Sequence, residues 1–122
     1  MLMIRFGMTV KQREICLLPI PFSDLTSTKR RPVLVISNND YNSKKEDVLV
    51  MAITSNIQDL STSVLIQQSD MKSGILKSIS QIRIDKIYSI NKGLVIKSFG
   101  EINIEKFDSV IENLILFLKS KN

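Results

Sequence analysis

The sequence of 122 residues has no histidine and a single cysteine, Cys16. The absence of histidine removes the commonest general base and the commonest protein ligand for metals. One cysteine excludes a disulfide framework within the chain, which favours a cytoplasmic protein. No run approaches the roughly 20 apolar residues that a membrane span needs, so we expect no membrane association. Cys16 lies in an apolar stretch and is expected in the core rather than as a nucleophile.

The length indicates one domain, and the charge indicates a polyanionic partner. Lys and Arg number 17 against 12 Asp and Glu, a net charge of +5. Such a balance suits nucleic acid, although many proteins of this charge bind none. The first residues are apolar but too short and wrongly built for a signal peptide. We interpret residues 1–10 as a loose leader and residues 11–122 as a single domain.

Two short apolar runs, at residues 33–36 and 48–53, organise the rest of the chain. Neither run alternates with polar residues, so each predicts a strand buried on both faces. If the two strands pair antiparallel, the start of the first lies beside the end of the second. That arrangement places Arg31 and Pro32 next to Thr54 and Ser55, so that a cation and two hydroxyls meet at one edge of the sheet.

The other strand candidates lie on both sides of this pair. Residues 14–18 predict a first strand, residues 64–66 a short strand, and residues 70–74 a turn or one helical turn closed by Gly74. Residues 23–31 predict a polar loop, either a plain connection or a cover for a groove. Residues 91–93 predict a hairpin turn, with residues 94–99 returning as a strand.

Residues 79–90 predict a strand that carries polar groups on one face. Ile82 and Ile84 point to one side, whereas Gln81, Arg83 and Asp85 point to the other. Ile87 breaks this phase, which indicates a β-bulge near Lys86.

The chain ends in a predicted amphipathic helix that Asn103 caps. Its apolar positions follow helical spacing: Ile104, Phe107, Val110, Ile111, Leu114, Ile115 and Leu118. Leu116 and Phe117 fall outside this stripe, so either the helix is more deeply buried or it meets a partner. About six strands and one helix predict a mainly β fold, a small curved barrel with a C-terminal helix.

Four segments together resemble the MazF/PemK (Kid) family of toxin endoribonucleases. They are Leu-Pro-Ile-Pro-Phe-Ser-Asp-Leu at 18–25, Arg-Arg-Pro-Val-Leu-Val-Ile-Ser at 30–37, Val-Met-Ala-Ile-Thr-Ser at 50–55, and Gly-Ile-Leu-Lys at 74–77 followed by Ser-Gln-Ile-Arg-Ile-Asp-Lys-Ile at 80–87. The resemblance implies an SH3-like barrel of the MazF/PemK/CcdB type, usually a homodimer. It also implies a toxin that cleaves single-stranded RNA at short motifs without a cofactor, and an antitoxin partner with an acidic, disordered tail.

The candidate site residues come from both arguments. Arg31 can bind two phosphate oxygens and Thr54 can donate a hydroxyl hydrogen bond to the same phosphate. Arg83 and Asp85 match the Arg-x-Asp of the Kid-like branch, where these positions serve as acid and base. Arg83 suits charge stabilisation better, because the pKa of its guanidinium is too high for an acid. The remaining expected substrate contacts are Lys29, Arg30, Ser55, Ser80 and Gln81.

The chemistry expected of these residues needs no metal. The adjacent Glu46 and Asp47 face opposite ways in a strand, and no carboxylate set has the spacing of metal ligands. We therefore expect attack by the 2′-hydroxyl of the RNA, giving a 2′,3′-cyclic phosphate and a 5′-hydroxyl. The alternatives are a CcdB-like toxin that poisons gyrase without catalysis and a barrel that binds RNA without cleaving it.

One position departs from the family pattern. The family usually has glycine before the acidic residue that opens the first strand, and this chain has Arg13 before Glu14. If that glycine serves a positive φ, arginine there is strained.

Overall fold

The structure, a computed structural model, describes residues 9–20 and 29–119. Within these ranges lie seven strands: β1 (Glu14–Ile20), β2 (Lys29–Val35), β3 (Asp47–Thr54), β4 (Ser63–Ile66), β5 (Met71–Gly74), β6 (Ser80–Asn91) and β7 (Lys97–Ile102). The two α-helices are α1 (Asn39–Lys44) and α2 (Ile104–Lys119). The predicted leader, except for Thr9 and the buried Val10, and most of the predicted loop at 23–31 fall outside the described residues.

All seven strands join one antiparallel, curled sheet in the order β4-β6-β3-β2-β1-β7-β5. The predicted mainly β fold with a C-terminal helix is confirmed. The predicted hairpin at residues 91–93 is wrong, because β6 already pairs with β3 and β4 while β7 pairs with β1 and β5. The turn at Lys92–Leu94 instead carries the chain across to the other side of the sheet.

The two apolar runs pair antiparallel and, apart from Leu49, which is 38% exposed, they are buried on both faces as predicted. Val33 lies opposite Ala52 and Leu34 opposite Met51. Leu34 and Met51 belong to one core cluster, whereas Val33 and Val35 belong to the cluster on the other face. The absence of alternation in the sequence therefore reflects a sheet that is covered on both sides at its centre.

Residues 71–74 form a strand where the sequence indicated a turn or one helical turn. A short 3-10 helix at Gln68–Asp70 leads into β5, and Gly74 pairs with Gly100 of β7. Both glycines have a positive φ, and a Cβ at either position would collide with the backbone of the other strand. The two strands can approach this closely only because both residues are glycine.

Helix α2 begins at its predicted cap and covers one core cluster. The side chain of Asn103 accepts a hydrogen bond from Lys106 N–H at 2.8 Å, and Phe107 and Val110 are buried. Towards the end of the helix, Leu116 and Phe117 are 69% and 48% exposed. The deeper burial that the sequence allowed for these two residues is therefore wrong. No helix in the described part of the chain is long and apolar enough to cross a membrane.

The backbone φ of Arg13 is +80°, a positive value at which arginine is strained, as expected from the sequence if the family's glycine serves such a φ. The backbone of Arg13 accepts from Ile102 N–H and donates to Val35 O, both at 2.9 Å. Its guanidinium donates to Ile102 O at 3.0 Å and lies 3.6 Å from a carboxylate oxygen of Glu101. The side chain thus ties β1 to β7 and offsets part of the strain in its own backbone.

Replacing Arg13 separates the two effects. Arg13→Ala keeps the strained φ and loses the guanidinium contacts, whereas Arg13→Gly loses the same contacts and relieves the strain. We expect Arg13→Gly to be more stable than Arg13→Ala by about 1 kcal/mol. Urea unfolding of both variants measures the difference. An alanine variant as stable as the glycine variant would show that the positive φ costs nothing.

Candidate active site

A groove of about 450 Å³ opens where β2, β3 and β6 lie side by side. Among the described residues, its lining is rich in cationic and amide side chains and contains no carboxylate: Arg31, Ala52, Thr54, Asn56, Gln58, Arg83, Lys86 and Tyr88. Three of the four predicted catalytic residues, Arg31, Thr54 and Arg83, are therefore brought together. The fourth, Asp85, lies outside this lining.

The register of β2 against β3 brings Arg31 to Thr54. Val33 pairs with Ala52, and extending that antiparallel register by two residues places Arg31 opposite Thr54. Arg31 is partly buried, and its Nε is shielded from solvent. The Thr54 hydroxyl accepts a hydrogen bond from Asn56 N–H at 3.1 Å, which leaves its own proton to be donated.

The predicted bulge near Lys86 is present and shapes the opposite wall. Met51 pairs with Ile87 but Ile53 pairs with Ile82, so residues 83–86 of β6 face the single residue Ala52. The extra residues push the β6 backbone outward at this point. Arg83 and Lys86, at the two ends of the bulge, consequently both line the groove.

Asp85 binds the Arg83 guanidinium in a bidentate salt bridge. Arg83 Nε donates to one carboxylate oxygen at 3.1 Å and Nη2 donates to the other at 3.0 Å. Partial burial raises the pKa of Asp85, but the hydrogen bond and charge of Arg83 outweigh it, so the pKa lies below its ordinary value. Asp85 is therefore ionised at neutral pH and orients Arg83; its expected role as general base stays a prediction.

The other predicted substrate contacts are not gathered in the groove. Ser80 and Gln81 are 5% and 2% exposed, and their hydroxyl and amide groups bond within the protein. Ser55 and Arg30 are exposed but do not belong to the lining. Nothing is described of the Lys29 side chain.

Five lining residues were not assigned to the groove from the sequence: Ala52, Asn56, Gln58, Lys86 and Tyr88. Asn56 and Gln58 lie in the irregular connection between β3 and β4, where no periodicity predicts the direction of a side chain. Lys86 marked the bulge, and that bulge was the available signal for a cation in the site. Tyr88 packs partly on the second core cluster and presents aromatic surface to the groove.

Cys16 and the acidic residues provide neither a nucleophile nor a metal centre in the described structure. Burial, and more weakly the charge of Glu14, raise the pKa of Cys16 to about 12, so its thiol stays protonated. Among residues 9–20 and 29–119, no three His, Cys, Asp or Glu side chains lie close enough to hold a metal ion. The chemistry of the groove rests on cations, a hydroxyl and amides.

A small curled sheet with one terminal helix and a cationic groove defines a class of compact barrel proteins suited to a polyanionic ligand. Residues 11–118 match the family described as PemK-like, MazF-like toxin of type II toxin-antitoxin system. The chain belongs to this family, and the resemblance seen in its sequence motifs is confirmed.

Solved structures with the same fold agree with this assignment. An endoribonuclease in complex with its cognate antitoxin, from a mycobacterial species, is 18% identical with a TM-score of 0.72, over 93% of this chain and 98% of that one. MazE-MazF from Deinococcus radiodurans is 17% identical with a TM-score of 0.71, over 93% and 100%. The Mycobacterium tuberculosis toxin MazF-mt6 is 20% identical with a TM-score of 0.68, over 84% and 92%. No curated protein sequence matches significantly.

Proposed function

We propose that this protein is a toxin endoribonuclease that cleaves single-stranded RNA at short sequence motifs. The observation that carries the proposal is the meeting of Arg31, Thr54 and Arg83 in one groove of a chain from the MazF-like toxin family. Solved structures that share its fold include proteins named as endoribonucleases. In the part of the chain that the structure describes, the groove lining offers three cations and no carboxylate, which suits a phosphodiester backbone.

In the proposed mechanism, the 2′-oxygen of the RNA bonds to the neighbouring phosphorus as its proton passes to the Asp85 carboxylate. The bond from phosphorus to the leaving 5′-oxygen breaks as solvent water protonates that oxygen. Arg31 binds the two non-bridging phosphate oxygens through its planar fork and stabilises the charge that grows on them. Thr54 donates its free hydroxyl proton to the same phosphate, and Arg83, fixed by Asp85, adds a second positive charge. Tyr88 offers an aromatic face on which an unstacked base can lie.

Removing Arg31 tests the centre of this mechanism. Arg31→Ala should lower the cleavage rate about 100-fold or more, because one preorganised contact to the phosphate oxygens is lost. Arg31→Lys keeps the charge without the fork and should recover only part of the rate. Rates are measured on a long RNA with mapped product ends.

The matched control is Lys45→Ala, which removes one positive charge at an exposed position outside the groove. It should cleave as the wild type does, with only a small effect of net charge. Wild-type rates for Arg31→Ala, in a protein that folds normally, would remove Arg31 from the site. Loss of folding in that variant would make Arg31 structural instead.

The proposed chemistry also fixes the products. Because the nucleophile is the 2′-oxygen of the substrate, the products should carry a 2′,3′-cyclic phosphate or its opened 3′-phosphate and a 5′-hydroxyl. Cleavage should survive excess EDTA, and a deoxyribose at the cut site should stop it while binding remains. A 5′-phosphate, or activity that EDTA abolishes and magnesium restores, is incompatible with this mechanism.

An acidic, disordered antitoxin segment is the proposed inhibitory partner, lying over the cationic groove. Relatives of known structure were solved with a cognate antitoxin or as MazE-MazF. Such a peptide should compete with RNA and protect Arg31 and Arg83 from an arginine-specific reagent, read by mass spectrometry. Arg13, outside the groove, serves as the internal reference. Equal modification of Arg31 and Arg83 with and without inhibiting peptide would mean that inhibition does not occlude the groove.

A further inference from the structure

Gln81 is buried, and its side-chain amide forms hydrogen bonds to one segment of the chain. It lies on β6 opposite Thr54 of β3 and is 2% exposed. Its Oε1 accepts from Gln58 N–H at 2.8 Å, while Nε2 donates to Ser63 Oγ at 2.6 Å and to Asp59 O at 3.4 Å. All three partners lie between residues 58 and 63, in or next to the connection between β3 and β4.

That connection has one other long-range bond, from Ile84 N–H to Thr62 O at 2.9 Å at its C-terminal end, and little else holds residues 55–61 in place. Residues 55–61 are exposed, including Ile57 at 40% and Leu60 at 46%. Asn56 N–H and Ser61 N–H donate to side chains only two residues earlier, so these bonds shape the segment locally without anchoring it. The amide of Gln81 bonds this segment to the rigid centre of the sheet across more than 20 positions of sequence.

The segment is also one wall of the groove, through the side chains of Asn56 and Gln58. We propose that Gln81 is a positioning residue: its buried amide fixes residues 55–62 so that Asn56 and Gln58 face the RNA in one arrangement. This inference rests on the proposed function for its substrate. It gives Gln81 a role through the groove wall, in place of the direct contact that the sequence suggested.

Losing this positioning should affect recognition of the RNA more than the chemical step. Amide side chains read unstacked bases by hydrogen bonds to the base edges, and a fixed wall forms those bonds without first ordering itself. Arg31 and Thr54, which bind the phosphate, are placed by strand pairing instead. Loosening the segment should therefore raise KM and weaken motif preference while kcat changes little.

The variant that tests this is Gln81→Met, which keeps side-chain volume and removes the amide. We expect KM for an RNA with the preferred motif to rise about ten-fold, kcat to change less than two-fold, and discrimination against other motifs to fall. Ser63→Ala removes one of the three bonds and should have a smaller effect in the same direction.

Gln68→Met is the matched control. Gln68 fixes another loop by the same means, donating to Gly74 O at 3.1 Å and accepting from Leu76 N–H at 2.7 Å. None of these three residues lines the groove, so this variant should keep the KM and motif preference of the wild type. Equal effects of the two substitutions would reduce Gln81 to a general structural role.

The double variant Asn56→Ala/Gln58→Ala shows whether Gln81 acts through the wall. It removes both groove side chains and leaves the backbone N–H of residue 58 available to donate to Gln81 Oε1. If the proposal is right, adding Gln81→Met to this background should raise KM by less than two-fold, because the groups it positions are already gone. A full ten-fold increase there would overturn the proposal.

Hydrogen exchange separates this proposal from the proposed function. In Gln81→Met, amide exchange in residues 55–62 should rise about ten-fold while β3 and β6 stay protected. A wild type that neither binds nor cleaves RNA would end the proposed function, but the exchange result would still decide whether Gln81 holds the segment. Unchanged exchange in residues 55–62 would overturn the inference even in an active enzyme.

Discussion

The antiparallel register between β2 and β3 is the constraint on which the groove depends. Val33 lies opposite Ala52, and this pairing sets Arg31 opposite Thr54 two residues further along. A slip of one residue would exchange the faces of the strand, sending Leu34 to the cluster that Val33 and Val35 fill. Both faces are buried, so such a slip would disrupt two cores at once. The packing that stabilises the fold is therefore also what places the cation beside the hydroxyl.

The β6 bulge brings two cations into one groove, which regular strand pairing could not do. In an unbroken strand, Arg83 and Lys86 would point to opposite faces, because side chains alternate with a period of two. With residues 83–86 facing only Ala52, the local backbone turns and both cations line the same groove. The buried Ile82 and Ile84 keep the strand anchored in one core cluster beside this irregularity. The distortion is thus confined to the place where it serves the site.

The sequence predicted features that depend on the pattern within one segment, and it missed features that depend on which distant segment lies next to it. The apolar runs predicted two buried strands, because burial on both faces requires apolar residues without alternation. The meeting of Arg31 and Thr54 followed on the condition that these strands pair antiparallel, as they do. The phase break at Ile87 predicted the bulge. The partners of β7 were missed because a turn signal at residues 91–93 does not say which strand comes next to it. The burial of Gln81 could not be predicted, since a polar residue on a strand looks the same in sequence whether it faces solvent or bonds to a neighbouring loop.

The charges around Arg83 are arranged so that the groove keeps a positive potential while the orientation of this arginine is fixed. A carboxylate inside the groove would fix an arginine but would also repel a phosphate. Asp85 makes its two contacts to Arg83 from outside the lining, so the guanidinium is oriented while no carboxylate of residues 9–20 and 29–119 lines the groove. The wall beyond Thr54 is held by a neutral amide, Gln81, in a place where a buried carboxylate would place a negative charge next to the cations that bind phosphate. Orientation and potential are thereby controlled by different groups, which a single ion pair within the groove could not achieve.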